Sequence, residues 1–211
     1  MKEGRIRRPT ATRAALATLL AVALAMQPHA VLGLPHAQAF AQTGTSHSIA
    51  KNVAQISQYD NGTYVHDFTE GVLGVNGELA FCVDPNVGFK PGQVSSADIG
   101  SLAGPDQVTD MALRAHFMRN VYADSPLSEN ARIIIAQTLI WEVLSPSQSF
   151  VVVPAENGGS FAEVSAAVRD DAMAKARDFA ARSHARYKGH GTLWLNGSTQ
   201  PVATFGCDLV V

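Results

Sequence analysis

The chain has 211 residues, 46% hydrophobic and 16% charged, a balance that fits one domain around an ordinary apolar core and excludes disorder and collagen-like repetition. Its formal net charge of −2 excludes a large basic footprint, so nucleic acid is not an expected partner. There are two cysteines, Cys82 and Cys207, and no internal repeat.

Residues 1 to 13 carry Lys2, Arg5, Arg7, Arg8 and Arg13 against Glu3, and an apolar run from Ala14 to Met26 follows. That run of 13 residues is about two-thirds of the roughly 20 needed to span a bilayer. Small-residue sites come next, at Ala37-Gln38-Ala39 and Ala39-Phe40-Ala41. The order of basic, apolar and cleavage-site segments predicts a secretory signal peptide over residues 1 to 41, the alternative being an uncut N-terminal membrane anchor. Residues 42 to 211 are then an exported domain of about 170 residues with a net charge near −6. No further apolar run in it is long enough to span a membrane. In an oxidising compartment an even cysteine count suggests a Cys82–Cys207 disulfide.

From about Ser46 to Asp84 short β-prone runs alternate with turn signals. Asn61-Gly62 and Asn76-Gly77 are strong hairpin dipeptides, and the second pairs Val72 to Val75 with Glu78 to Val83. Alternation along that strand sets Leu79, Phe81 and Val83 on one face and Ala80 and Cys82 on the other. Asp84-Pro85-Asn86 turns the chain, and residues 86 to 107 read as loop. Thr109 or Asp110 is the expected cap of a helix through Met111, Leu113, His116, Phe117 and Val121. Ser128 caps a second helix, Glu129 to Leu144, stopped by Ser145-Pro146. Its apolar stripe is Ile133, Ile134, Ile140, Trp141 and Leu144, with Gln137 inside it.

Phe150 to Val153 reads as a strand and Asn157-Gly158-Gly159 as a loop. A long helix from about Phe161 to Ala185 follows, with Phe161, Val164, Val168, Ala172, Ala176 and Phe179 on one side. The chain closes with a strand Thr192 to Leu195, an Asn196-Gly197 turn and a strand Val202 to Val210. Strands, helices and strands in that order predict an α+β fold, a mainly antiparallel β-sandwich or barrel-like part with a helical insertion. The glycosylation triplets Asn61-Gly62-Thr63 and Asn196-Gly197-Ser198 fall on hairpin signals and are better explained as turns.

A glutamine in an apolar helical stripe costs about 1 to 3 kcal/mol for each amide group left unsatisfied, so Gln137 requires a partner. The simplest partner is a loop backbone. The stretch Leu79-Ala80-Phe81-Cys82-Val83-Asp84-Pro85, followed by Ala136-Gln137-Thr138-Leu139-Ile140-Trp141-Glu142, resembles the Cys-Gln thioester domains of Gram-positive surface adhesins. The likeness is sharp at Phe81-Cys82-Val83 and at Gln137, Ile140 and Trp141. It departs at Ala136 and Leu139, where the family often has Thr and Ala. Gln200 and the strand through Phe205 also resemble the way such domains end.

The resemblance implies that Cys82 attacks the side-chain carbonyl of Gln137, expels ammonia and leaves an intramolecular thioester. It further implies that a host surface protein presenting a lysine amine opens that bond and becomes attached through Gln137 by a stable amide. Such a protein is consumed once and does not turn over; no cofactor or metal is expected, and a monomer is. Trp141, one turn after Gln137, is a candidate shield for the bond, and Asp84 and His116 are candidate proton carriers. Adhesins of this kind usually continue into stalk domains and a cell-wall sorting signal, so ending at Val211 is expected of a fragment or of a secreted one-domain protein.

Two other readings compete. One is a secreted non-covalent binding module tied by the Cys82–Cys207 disulfide, with a reduced Cys207 as a small strand residue the alternative fate of that thiol. The other is a cysteine hydrolase or transglutaminase-like enzyme pairing Cys82 with His66, His116, His184 or His190. The strand before Cys82 and the Asp-Pro after it are unlike the helix-start cysteine of those enzymes.

Overall fold

In the computed structural model residues 41–153, 165–197 and 200–210 are described, all within one compact unit, Phe40–Val211. The signal-peptide segment, the Asn157-Gly158-Gly159 loop, the start of the long helix at Phe161 and Val164, and Ser198 lie outside the described residues.

Two Asn-Gly pairs build the first three strands, β1 (Thr43–Asp60), β2 (Thr63–Val75) and β3 (Glu78–Cys82). Asn61 and Gly62 have φ of 49° and 77°, and Asn76 and Gly77 have 53° and 83°, the left-handed pair that a type I′ turn demands. Asp60 consequently faces Thr63, and Val75 faces Glu78. Four further strands follow: β4 (Gly92–Asp98), β5 (Gln148–Val153), β6 (Tyr187–Leu195) and β7 (Val202–Leu209).

All described pairings are antiparallel, and six strands close into a ring in the order β1-β2-β3-β7-β6-β4. The long β1 closes it. Thr43 to Ser46 pair with β4, and the same strand pairs with β2 along its other edge. Its far half, Gln55 to Asp60, carries β5. The fold is therefore α+β with a barrel-like antiparallel sheet, as the order of elements implied.

Strand β4 lies where the sequence reads as loop. Its residues are small and mostly polar, with Val94 the buried apolar one, so propensity gives no signal; pairing with β1 and β6 on either side makes it a strand. Helix α1 spans Pro105–His116, starting before the expected Thr109 or Asp110 cap. Proline at the first helical position lacks only an N–H that would be unpaired anyway, and the Gly104 N–H is taken up by Gln107 Oε1 at 3.2 Å. The Thr109 hydroxyl instead donates to Pro105 O at 3.0 Å and accepts from Gly189 N–H at 3.1 Å, tying α1 to β6.

Helix α2 spans Glu129–Leu144, with Ser128 Oγ accepting from Ala131 N–H at 3.2 Å. The expectation of one apolar stripe is corrected here: every residue from Ile133 to Trp141 is buried, on all sides of the helix. The cause is layering, because α2 packs on β1, β2, β3 and β5 while α1 and α3 (Ala166–Ser183) cover it from outside. A helix enclosed in this way is apolar all round. Helix α3 meets the core through Ala172, Met173 and Ala176. Among the described residues no helix is long and apolar enough to cross a membrane.

Candidate functional site

The β2–β3 ladder runs from Val75–Glu78 to Leu73–Ala80. On its other side β3 pairs Phe81 with Ala203 and Cys82 with Val202 of β7. Toward β2 the register ends at Leu73–Ala80, and beyond it the main chain of Cys82 meets a side chain. Its N–H donates to Gln137 Oε1 at 2.7 Å, and its C=O accepts from Gln137 Nε2 at 2.7 Å. The carboxamide of Gln137, projected from the middle of α2, thus takes the place of a neighbouring strand. Both ends of a buried amide are satisfied, which removes the desolvation cost that its position in an apolar helix implied. The Cys82 sulfur is two bonds from the Cα whose N–H and C=O clasp that carboxamide.

Trp141, one helical turn on, donates Nε1–H to the same Cys82 C=O at 2.9 Å. Its ring is fully buried against Phe68 and Phe150, at centroid distances of 5.7 and 5.1 Å. Cys82 is 0% exposed and Gln137 3%, so the pair is closed from bulk water.

Sequence reasoning missed Glu70. It lies on the face of β2 that carries Phe68, is buried, and accepts the Cys82 thiol at Sγ–Oε1 3.9 Å. A bulge positions it. Ala54 pairs with Glu70 and Ala50 with Val72, so β1 spends four residues where β2 spends two. Asn52 in the bulge has φ 52°, and the Ala50 carbonyl comes so close that a Cβ on Gly71 would stand 2.5 Å from it. Only glycine fits there, and its N–H, turned out of the ladder, donates to Glu70 Oε1 at 3.0 Å. The available signal was a glycine inside a strand pattern, Glu70-Gly71-Val72, the mark of a bulge or close approach. Burial pushes the Glu70 carboxyl up to about 7, and burial with the Glu70 charge beside it pushes the Cys82 thiol well above its usual range.

The other candidates sit elsewhere. Asp84 shapes the turn after β3: its Oδ1 accepts from Asn86 N–H at 2.9 Å and Nδ2–H at 3.1 Å, and it reaches the thiol only through its charge. Gln200, buried, donates Nε2–H to Asp84 O at 2.6 Å and so pins that turn against the start of β7. His116 belongs to the helical layer, stacked on Phe179 at 6.3 Å with Nδ1 3.1 Å from Asn120 Nδ2. His66 lies by Phe68, His184 by the Asp106 carbonyl and His190 by Asp208. Among the described residues no histidine is hydrogen-bonded to Cys82, whose described side-chain partner is Glu70.

The disulfide expectation is also corrected. Cys207 faces Gly189 on β6, five residues along β7 from the Val202 that pairs with Cys82. Five residues of strand separate the two by about 16 Å, far beyond the roughly 7 Å that a disulfide bridges. Both thiols are free. Among the described residues no group of three or more His, Cys, Asp or Glu side chains is placed to hold a metal.

No protein-family model matches the chain, and no curated protein does. Among solved structures the N-terminal domain of the Streptococcus pyogenes pilus tip adhesin Cpa matches with 11% identity and a TM-score of 0.42, over 74% of this chain and 94% of that one. That likeness is too slight to assign a fold or a function.

Proposed function

We propose that the domain closes an internal thioester between Cys82 Sγ and the side-chain carbonyl carbon of Gln137, and spends it once on a primary amine. The observation that carries this reading is the two-point clasp of the Gln137 carboxamide on the main chain of Cys82 in a buried site. An unactivated amide resists thiolate attack, and fixed geometry supplies what the reagents lack, about 7 to 11 kcal/mol for a well-oriented intramolecular reaction.

In formation the sulfur adds to the carbonyl carbon, the C–N bond breaks and ammonia leaves. In use an amine nitrogen adds to the same carbon, the C–S bond breaks, and the product is a secondary amide at Gln137 with a free Cys82 thiol. Exclusion of water by Trp141 and its aromatic neighbours protects the bond from hydrolysis between the two events. Nothing regenerates the thioester in the product, so the protein is a single-use attachment device and not a turnover enzyme. Together with the basic and apolar leader and the motif resemblance, this chemistry supports a secreted or cell-surface adhesin domain whose partner is a host protein presenting a lysine.

The test is incubation of the purified mature domain with methylamine. One methylamine per chain, attached at Gln137, and one newly alkylatable thiol at Cys82 are expected. Both are lost in Cys82→Ala and in Gln137→Ala; incorporation that survives Gln137→Ala would overturn the reading.

A further inference from the structure

Glu70 is an anomaly for a structural residue. A buried carboxylate is normally paired with a cation, yet among the described ion pairs none involves Glu70. Its described partners are the Gly71 N–H and the Cys82 thiol. A two-residue bulge, a left-handed Asn52 and a glycine-only contact at Gly71 are all spent on placing it. Glu70 also opens in a second direction, onto a cavity of about 480 Å³ walled by Lys51, His66, Phe68, Asn86, Phe89 and Gln200. Cys82 does not line that cavity; Glu70 stands between the two.

We propose that Glu70 is the catalytic proton carrier of the Cys82–Gln137 pair, and that the cavity it lines is where the attacking amine enters. The proposal rests on the thioester reading above. In formation the Glu70 carboxylate takes the thiol proton, the thiolate adds to the Gln137 carbonyl carbon, and the protonated Glu70 returns that proton to the departing nitrogen, which leaves as ammonia. In aminolysis Glu70 takes a proton from the amine nitrogen as it adds, and gives it to the departing Cys82 sulfur. The carboxylate is regenerated each time, so the balance needs no other reagent. A thiol held far above its usual range by burial requires such a base beside it, and a carboxyl raised to about 7 is populated in both forms near neutrality.

The direct test is Glu70→Gln, which keeps an oxygen for the Gly71 N–H but cannot carry the proton. Intact mass after expression is expected to show the ammonia retained, with thioester formation slowed by about 10² or more, and Glu70→Asp recovering part of the rate. A second measurement needs no variant: the rate of methylamine consumption by the wild-type thioester against pH. Because both the amine and Glu70 must be deprotonated, the slope of log rate against pH is expected to fall from about two to about one at a break of about 7 or higher, since the thioester lacks the thiol hydrogen bond that lowers Glu70.

The groups facing Glu70 are Cys82 from β3 and, across the cavity, Lys51 and His66, with Asp84 acting on the thiol by charge. His66→Gln removes the imidazole of the cavity wall, and the break is expected to persist in it unchanged. A Glu70→Gln chain that forms its thioester at the wild-type rate overturns the proposal, as does a slope of one throughout in the wild type. If the wild type itself shows no loss of ammonia, the thioester reading fails and not the assignment of Glu70 alone.

Discussion

Gln137 holds Cys82 by both of its main-chain groups, accepting its N–H and donating to its C=O at 2.7 Å each. The third hydrogen bond on the same residue, from Trp141 Nε1 to the Cys82 carbonyl at 2.9 Å, comes from the same helix one turn later. Helix α2 therefore fixes the cysteine by its backbone and leaves the sulfur to Glu70.

The indole bond can be separated from the indole's bulk. Trp141→Phe keeps an aromatic ring beside Phe68 and Phe150 but leaves the Cys82 carbonyl with one donor. A loss of about 1 to 3 kcal/mol is expected from the missing hydrogen bond and the smaller ring, read from the urea midpoint of the Cys82→Ala chain, which cannot react but keeps Gln137 as the remaining donor, with and without Trp141→Phe.

Gly71 is the cheapest point at which to disturb the base without touching it. Gly71→Ala puts a methyl 2.5 Å from the Ala50 carbonyl, so the bulge must open. We expect about 1 to 3 kcal/mol of destabilisation by chemical denaturation and a slower thioester, because the N–H that orients Glu70 moves with it.

Stability of the unreacted chain is expected to fall as pH rises. Glu70 holds its proton up to about 7 when folded but only to its ordinary value near 4.5 when unfolded. Between those values the folded state binds more protons, so unfolding free energy declines with pH, by about 3 kcal/mol in total, and levels off above neutrality. Glu70→Gln flattens that part of the profile. Thermal melts of the Gln137→Ala chain from pH 4.5 to 8, with and without Glu70→Gln, measure it.

The two cysteines are expected to behave differently. Cys207 is half-exposed on β7 and Cys82 is fully buried, with about 16 Å between them. Alkylation of the native chain under non-reducing conditions should modify Cys207 alone. Cys207→Ser should leave amine incorporation intact, whereas a disulfide-dependent fold would lose stability on that change.

The legible parts of the fold were those where local chemistry and tertiary context agree. Asn61-Gly62 and Asn76-Gly77 specify type I′ turns by themselves, and Ser128 with Ser145-Pro146 brackets α2 at both ends. Strand β4 was illegible because Gly92-Gln93-Val94-Ser95-Ser96 has no strand propensity and owes its form to two neighbours distant in sequence. The burial of α2 on all sides was hidden for the same reason, since periodicity records one apolar face and not the layers that enclose it.

At the site, Gln137 announced itself as a polar residue in an apolar helix, and the motif around Cys82 supplied its partner. Glu70 did not, because its contact with the thiol depends on a two-residue bulge in a strand that pairs with its own. Asp84 and His116 have the chemical type of a proton carrier, and the turn and the helical layer account for their places.

The intact mass of the mature domain, purified without reductant or amine, tests the central claim most directly. We expect a chain lighter than its sequence by one ammonia, with the deficit absent from both Cys82→Ala and Gln137→Ala and present in Cys207→Ser. A wild-type chain of full sequence mass, or a deficit that persists in Gln137→Ala, contradicts the account.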